Sequence, residues 1–261
     1  RVLQQDRELI WLPLMSVAAL VVVAGAFAGV GAATGSLDRM ANSADTQQNA
    51  FTVVDAVVGF GLLAVSYFIV MFFNAALISA AMERLRGGVP SVRSGLNAAS
   101  SHVPAILGWA LIAAGVGLIL SVLESRFEVV GQFVVRLLGT GWAIATFFVI
   151  PVLIVEGVGP ITAIKQSGSL IKKTWGNQIA ASFGFSIFYI IAIAVALIPA
   201  FLLAMVTPVL GILVGLPMVA LAFGVVAALE GIFKAALYDF AMGATPKGFD
   251  QTTLNEAYRA L

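Results

Sequence analysis

Between Lys173 and Glu230 the chain carries no charged residue. This one stretch restricts the fold more than any other feature. Wound as helix at about 1.5 Å per residue, residues 174–229 reach roughly 84 Å. A hydrocarbon core of about 30 Å is crossed by about 20 apolar residues, so the stretch is long enough for two crossings. Pro199, Pro208 and Pro217 interrupt it. We expect one span at about 178–206, kinked near Pro199, and another at about 218–240, joined by a tight apolar turn. A re-entrant segment over 211–216 is the alternative division.

Four further apolar runs of spanning length precede these two, at about 10–33, 53–82, 103–123 and 133–155. The chain is 61% hydrophobic and only 10% charged, whereas soluble domains carry about 25% charged residues. No single soluble core hides that much apolar surface in 261 residues. The expected fold is therefore all-α: a polytopic transmembrane bundle of six spans, with residues 1–261 forming one membrane domain. The long first run, with no small-residue cleavage pattern before a soluble domain, does not read as a cleaved signal peptide. With no cysteine, the chain has no disulfide, thiolate metal site, iron–sulfur cluster or cysteine nucleophile.

Lysine and arginine orient the bundle, because cytoplasmic loops are enriched in both. With the N-terminus inside, the cytoplasmic side holds Arg1, Arg7, Arg84, Arg86, Arg93, Lys165, Lys172, Lys173, Lys234, Lys247 and Arg259, against Arg39, Arg126 and Arg136 outside. The bias extends over every cytoplasmic segment. It points to a multi-pass protein of the cell membrane with both termini in the cytoplasm.

The cytoplasmic connectors have a second pattern. Ile161, Ile164, Gly168, Ile171 and Trp175 recur at helical spacing, while Lys165, Gln166, Ser169, Lys172 and Lys173 fill the other face. This predicts an interfacial amphipathic helix at about 160–175. A weaker one is expected at about 90–101, with Val92, Leu96, Ala99 and Val103 on its apolar face. A third, at about 250–261, combines a Thr253/Glu256 capping box with a Leu254, Tyr258, Leu261 stripe. Each is entered through a proline after an even-numbered span (Pro90, Pro160, Pro246), which suggests an internal repeat. Alignment on those prolines sets Asn74 against Glu230 and Glu83 against Asp239; span four fits less well, since Glu156 lies only four residues before Pro160.

The segments Val2 to Leu14 (VLQQDRELIWLPL), Gly87 to Leu96 (GGVPSVRSGL) and Pro151 to Gly176 (PVLIVEGVGPITAIKQSGSLIKKTWG) resemble a prokaryotic family of six-helix membrane proteins of unknown function. More distantly, the chain is similar to the membrane domains that accompany some glycerophosphodiester phosphodiesterases, although it carries no soluble catalytic domain. The resemblance implies the six-helix architecture and no activity, and it transfers no functional residue.

Chemistry inside the bilayer would be carried by ionisable groups, which are costly there and face a bundle interior or a water-filled cavity. Glu230 and Lys234 stand four apart on one helical face, with Asp239 a little over one turn further and Asn74 on span two as a neighbour. These four are the candidate ion or proton path; the competing reading is an i, i+4 ion pair, or a Glu230–Asn74 bond, that only fixes packing. Lys165, Lys172 and Lys173 are candidates for anionic lipid headgroups, at about 1 kcal/mol per basic residue near the surface. Asp55 reads as an exposed helix-start acid. His102 has no Cys, His or acidic partner at metal-ligand spacing, and reads as an interfacial polar residue. No metal site, catalytic residue or cofactor is expected, and protease motifs are incomplete. Gly25/Gly29 and Gly211/Gly215 fit close helix contacts within the chain. Trp11, Trp109, Trp142 and Trp175 fit aromatic belts at the span ends.

The reading that accommodates these features is a non-enzymatic integral membrane protein that organises lipid or a membrane protein complex at the inner leaflet. The alternative is a channel or small-solute or ion transporter using the polar group in span six. Expected partners are membrane lipids, anionic headgroups at the cytoplasmic face, and a homo-oligomer or protein complex. A net charge of +1 gives no general attraction to nucleic acid.

Overall fold

The computed structural model describes residues 6–36, 39, 52–126, 129–175, 184–205 and 207–244. These residues form helices and their connections, with no strand among them. After a 3-10 turn at Arg7–Ile10 come α1 (Trp11–Ala33), α2 (Val53–Leu85), α3 (Val92–Ser100), α4 (Val103–Arg126), α5 (Val129–Ala145), α6 (Val149–Glu156), α7 (Pro160–Trp175), α8 (Gly184–Ala204) and α9 (Pro208–Ala241). The helix expected at about 250–261 lies outside the described residues.

Five segments are long and apolar enough to cross a membrane: Arg7–Ala33, Val53–Leu85, Val103–Arg126, Gly131–Glu156 and Pro208–Ala241. The expected span at about 178–206 corresponds to α8, whose apolar stretch Phe188–Ala204 is shorter than the other five. Among the described residues, five candidate spans therefore stand where six were expected.

The last two runs divide differently from the expectation. α9 begins at Pro208 and passes through Pro217 without ending. Proline suits the first turn of a helix, where its missing N–H has no intrahelical partner anyway. Thr207 caps that turn, its hydroxyl accepting from Leu210 N–H at 3.4 Å. Residues 211–216 are thus part of the continuous helix α9. Gly211 and Gly215 explain why α8 returns against α9: a Cβ at Gly211 would lie 2.5 Å from Ala204 Cβ, and one at Gly215 2.6 Å from Ala200 Cβ. This contact within the chain was expected. The Gly25/Gly29 contact was not found, because a Cβ at either meets nothing within 4 Å.

Span four is discontinuous. Pro151 cannot donate to the carbonyl of Phe147, and its ring crowds that oxygen, so the helix yields one turn earlier. α5 ends at Ala145 and α6 starts at Val149. Across the break, Phe147 and Val149 N–H donate to carbonyls three residues back, Ile144 and Thr146. Phe148 N–H instead donates to Ser167 Oγ of α7 at 3.0 Å. Gly157, at φ 63° in the left-handed region, then ends α6.

The buried cluster gathers at one end of the bundle. It joins Leu9 and Leu12 with the last turns of α2 (Ala75–Leu85), the start of α4 (Ile106, Trp109), α6 and the last third of α9. α3 docks there through Gly95, whose Cβ would stand 2.6 Å from the Ala76 carbonyl oxygen, and through buried Ala99. α2 and α9 run side by side in the same direction, Gly231 against Leu77 and, further along, Asp239 against Arg86. Toward the other end, a Cβ at Gly59 would also meet nothing within 4 Å. Trp109 departs from its expected belt position: it is buried, and stacks on Trp142 at 5.8 Å between centroids.

Candidate functional site

The polar residues singled out in the sequence fall into three places. The first is on the later turns of α9. Glu230 and Lys234 form an ion pair, Lys234 Nζ to Glu230 Oε1 at 2.7 Å, with side chains 28% and 18% exposed respectively. The i, i+4 spacing with Glu on the N-terminal side is the favourable order. Tyr189 of α8 donates its hydroxyl to Glu230 Oε2 at 2.9 Å. The Phe147 ring, at the break in span four, lies 5.3 Å from the Lys234 ammonium, within cation–π range. Both carboxylate oxygens and one side of the ammonium are thereby engaged, from three separate helical segments.

Asn74 does not bond this pair. Its Oδ1 is buried with no hydrogen-bond partner among the described residues, as are Ser79 Oγ and Gln166 Oε1. Asp239 is separate too: its carboxylate, 4% exposed, pairs with Arg86 Nη2 at 2.8 Å. The four residues read as one path are thus one ion pair on α9, a second ion pair between α2 and α9, and an unbonded amide oxygen.

The second place is the tightly packed end, where polar ties accompany the buried cluster. Besides Arg86–Asp239, the Arg84 guanidinium forms a two-pronged pair with Asp6. Tyr238, fully buried, donates to Glu156 Oε1 at 3.0 Å, and Ser94 donates to Glu83 Oε2 at 2.9 Å. These bonds bind the N-terminal turn, α3 and α6 to the ends of α2 and α9. His102 closes α3 locally, with Nδ1 2.9 Å from the Ala98 carbonyl and 3.0 Å from Ser101 Oγ.

The third place is α7. Lys165, Lys172 and Lys173 are all exposed, while Ala163, Ser167 and Ile171 are buried against the bundle. Ile161, expected on the apolar face, is 62% exposed. The seam that packs is shifted because Ser167 is drawn inward by Phe148 N–H. The small and apolar side of α7 is consumed by protein contact, so the lysine face is presented outward.

At the opposite end Asp55 is buried, not exposed as expected. Arg39 grips it with Nη2 to Oδ1 at 2.7 Å and Nε to Oδ2 at 3.2 Å, and Thr52 completes a capping box with it. Tyr189 and Phe147 are the site residues that sequence reasoning passed over. Tyr189 left a signal, since a tyrosine within an apolar run needs a hydroxyl partner. Phe147 left none, because its role depends on where Pro151 breaks the span. Among the described residues no group of three or more His, Asp or Glu could hold a metal ion.

A family model described as a family of unknown function (DUF6159) matches residues 53–249. That interval runs from the start of α2 past the end of α9. No curated protein and no solved structure matches the chain.

Proposed function

The chain belongs to the DUF6159 family of unknown function, and from that premise we propose that it is a non-enzymatic, six-span protein of the cell membrane that organises lipid or a partner complex at the inner leaflet. In this reading α8 also spans, as the fifth of six, and both termini are cytoplasmic. The observation that carries it is the division of α7: one side is docked on the packed end of the bundle, and the other presents Lys165, Lys172 and Lys173. A rigidly held row of ammonium groups beside the membrane surface attracts anionic headgroups at about 1 kcal/mol per residue. The charges on α9 are paired within the protein, Glu230 with Lys234 and with Tyr189, and this supports the same reading.

Spin-labelled lipids test this in reconstituted vesicles. Wild type should prefer anionic over zwitterionic lipid, and the preference should fall with salt. Replacing all three lysines by glutamine should remove it. Equal selectivity in wild type and the triple variant defeats the proposal.

One observation favours the transport alternative: span four is broken beside Lys234, and broken helices line substrate sites in transporters. Flux of ions or small solutes through the purified protein in liposomes, abolished by Glu230→Gln, would establish that reading in place of the first.

A further inference from the structure

The ion pair on α9 has capacity left over, and its depth suggests what fills it. α9 runs without a break from Pro208 to Ala241, 34 residues, or roughly 51 Å, against about 30 Å of hydrocarbon. In the six-span reading the α8–α9 turn, flanked by exposed Met205 and Val209, lies at the outer boundary. Glu230 is then about 33 Å and Lys234 about 39 Å along the helix. Both sit at the inner boundary, where lipid headgroups begin, and not at the midplane.

The pair also opens sideways. Glu230 and Lys234 are partly exposed, and Phe188, Phe223 and Leu229 near them are exposed apolar side chains. That face meets lipid. Each group retains bonding capacity: an ammonium has three N–H donors, of which Glu230 takes one among the described residues, and a carboxylate has about four lone-pair sites, of which two are occupied. A ligand that satisfies both must bring an acceptor to Lys234 and an N–H donor to Glu230, a few ångströms apart.

We propose that Glu230 and Lys234, bracketed by Tyr189 and Phe147, form a lateral site for an inner-leaflet phospholipid with a primary-amine headgroup, its phosphate on Lys234 and its ammonium on Glu230. The proposal deepens the lipid-organising reading and rests on its six spans. A quaternary ammonium cannot donate an N–H, so phosphatidylcholine is the discriminating control. An acidic headgroup leaves Glu230 opposed by like charge.

Native mass spectrometry of the full chain in mild detergent, titrated with dioleoyl phosphatidylethanolamine, phosphatidylcholine or phosphatidylglycerol, tests this. Wild type should retain one phosphatidylethanolamine about tenfold more strongly than phosphatidylcholine, as expected for one charge-assisted hydrogen bond. Glu230→Gln should bring the two to equality, with unchanged helical circular dichroism. Lys234→Gln should weaken both lipids about tenfold. Equal retention by wild type, a preference that survives Glu230→Gln, or a preference for phosphatidylglycerol that survives Glu230→Gln would each overturn the site. The triple α7 lysine variant should keep the ethanolamine preference while losing anionic selectivity. Failure of this site therefore leaves the α7 test standing, and failure of the α7 test leaves this one.

Discussion

Two glycines show how the atom in the way, more than its distance, decides what a substitution costs. A Cβ at Gly231 would come within 2.4 Å of Leu77 Cδ2, while one at Gly95 would come within 2.6 Å of the Ala76 carbonyl oxygen. The leucine methyl can rotate aside; the carbonyl belongs to a buried turn of α2. We predict that Gly95→Ala destabilises the protein by about 1 to 3 kcal/mol, the range of overpacked cores, and more than Gly231→Ala does. Thermal unfolding of the two variants in the same detergent checks the order, and a larger loss for Gly231→Ala would contradict it. At this scale legibility in the sequence was uneven. The Glu230–Lys234 pair could be read from spacing, because both partners lie on one helix. The burial of Asp55 could not, although Thr52 three residues before it carried a capping-box signal, because its partner Arg39 is 16 residues away. Asp239 was placed in the wrong company for the same reason, its partner Arg86 being 153 residues away.

At the scale of elements, prolines were read too uniformly. Pro217 was expected to precede a new span and instead sits inside α9, whereas Pro151 was passed over and coincides with the break in span four. At the break, Ser167 reaches across from α7 to accept Phe148 N–H. Ser167→Ala withdraws that acceptor from a fully buried place, and should lower stability by about 1 to 3 kcal/mol. Ser167→Thr, which keeps the hydroxyl, should lose less if the added methyl is accommodated. A Ser167→Ala variant as stable as wild type would mean that the latch between α7 and span four carries no weight. The amphipathicity of α7 was legible from its period, but not which partner its apolar side would meet. Hydrophobic periodicity shows that a face is buried and leaves open whether lipid or protein buries it.

For the whole molecule, the all-helical membrane-type class follows from length and charge alone, and the five long apolar segments agree with it. Orientation rests on the lysine and arginine bias and has its own test. The natural absence of cysteine makes single introduced thiols clean reporters. Ser125→Cys, exposed in the last turn of α4, should react with an impermeant maleimide in intact cells, and Ser169→Cys, exposed on α7, only after permeabilisation. The reverse pattern would invert the proposed topology and move the lysine face outside.

The gathering of buried contacts at one end also bears on how the molecule responds to its host bilayer. Helices tied across the bundle at one end, and at the other held chiefly within neighbouring pairs such as α8 and α9 through Gly211 and Gly215, can change their tilt without disturbing the tie. A thicker or thinner membrane is then accommodated by the loosely packed half, at fractions of a kcal/mol per Å of mismatch. The tied end keeps its geometry meanwhile. Such a protein holds the spacing of the groups at that end constant across membranes of different composition, as a fixed template under a compliant canopy.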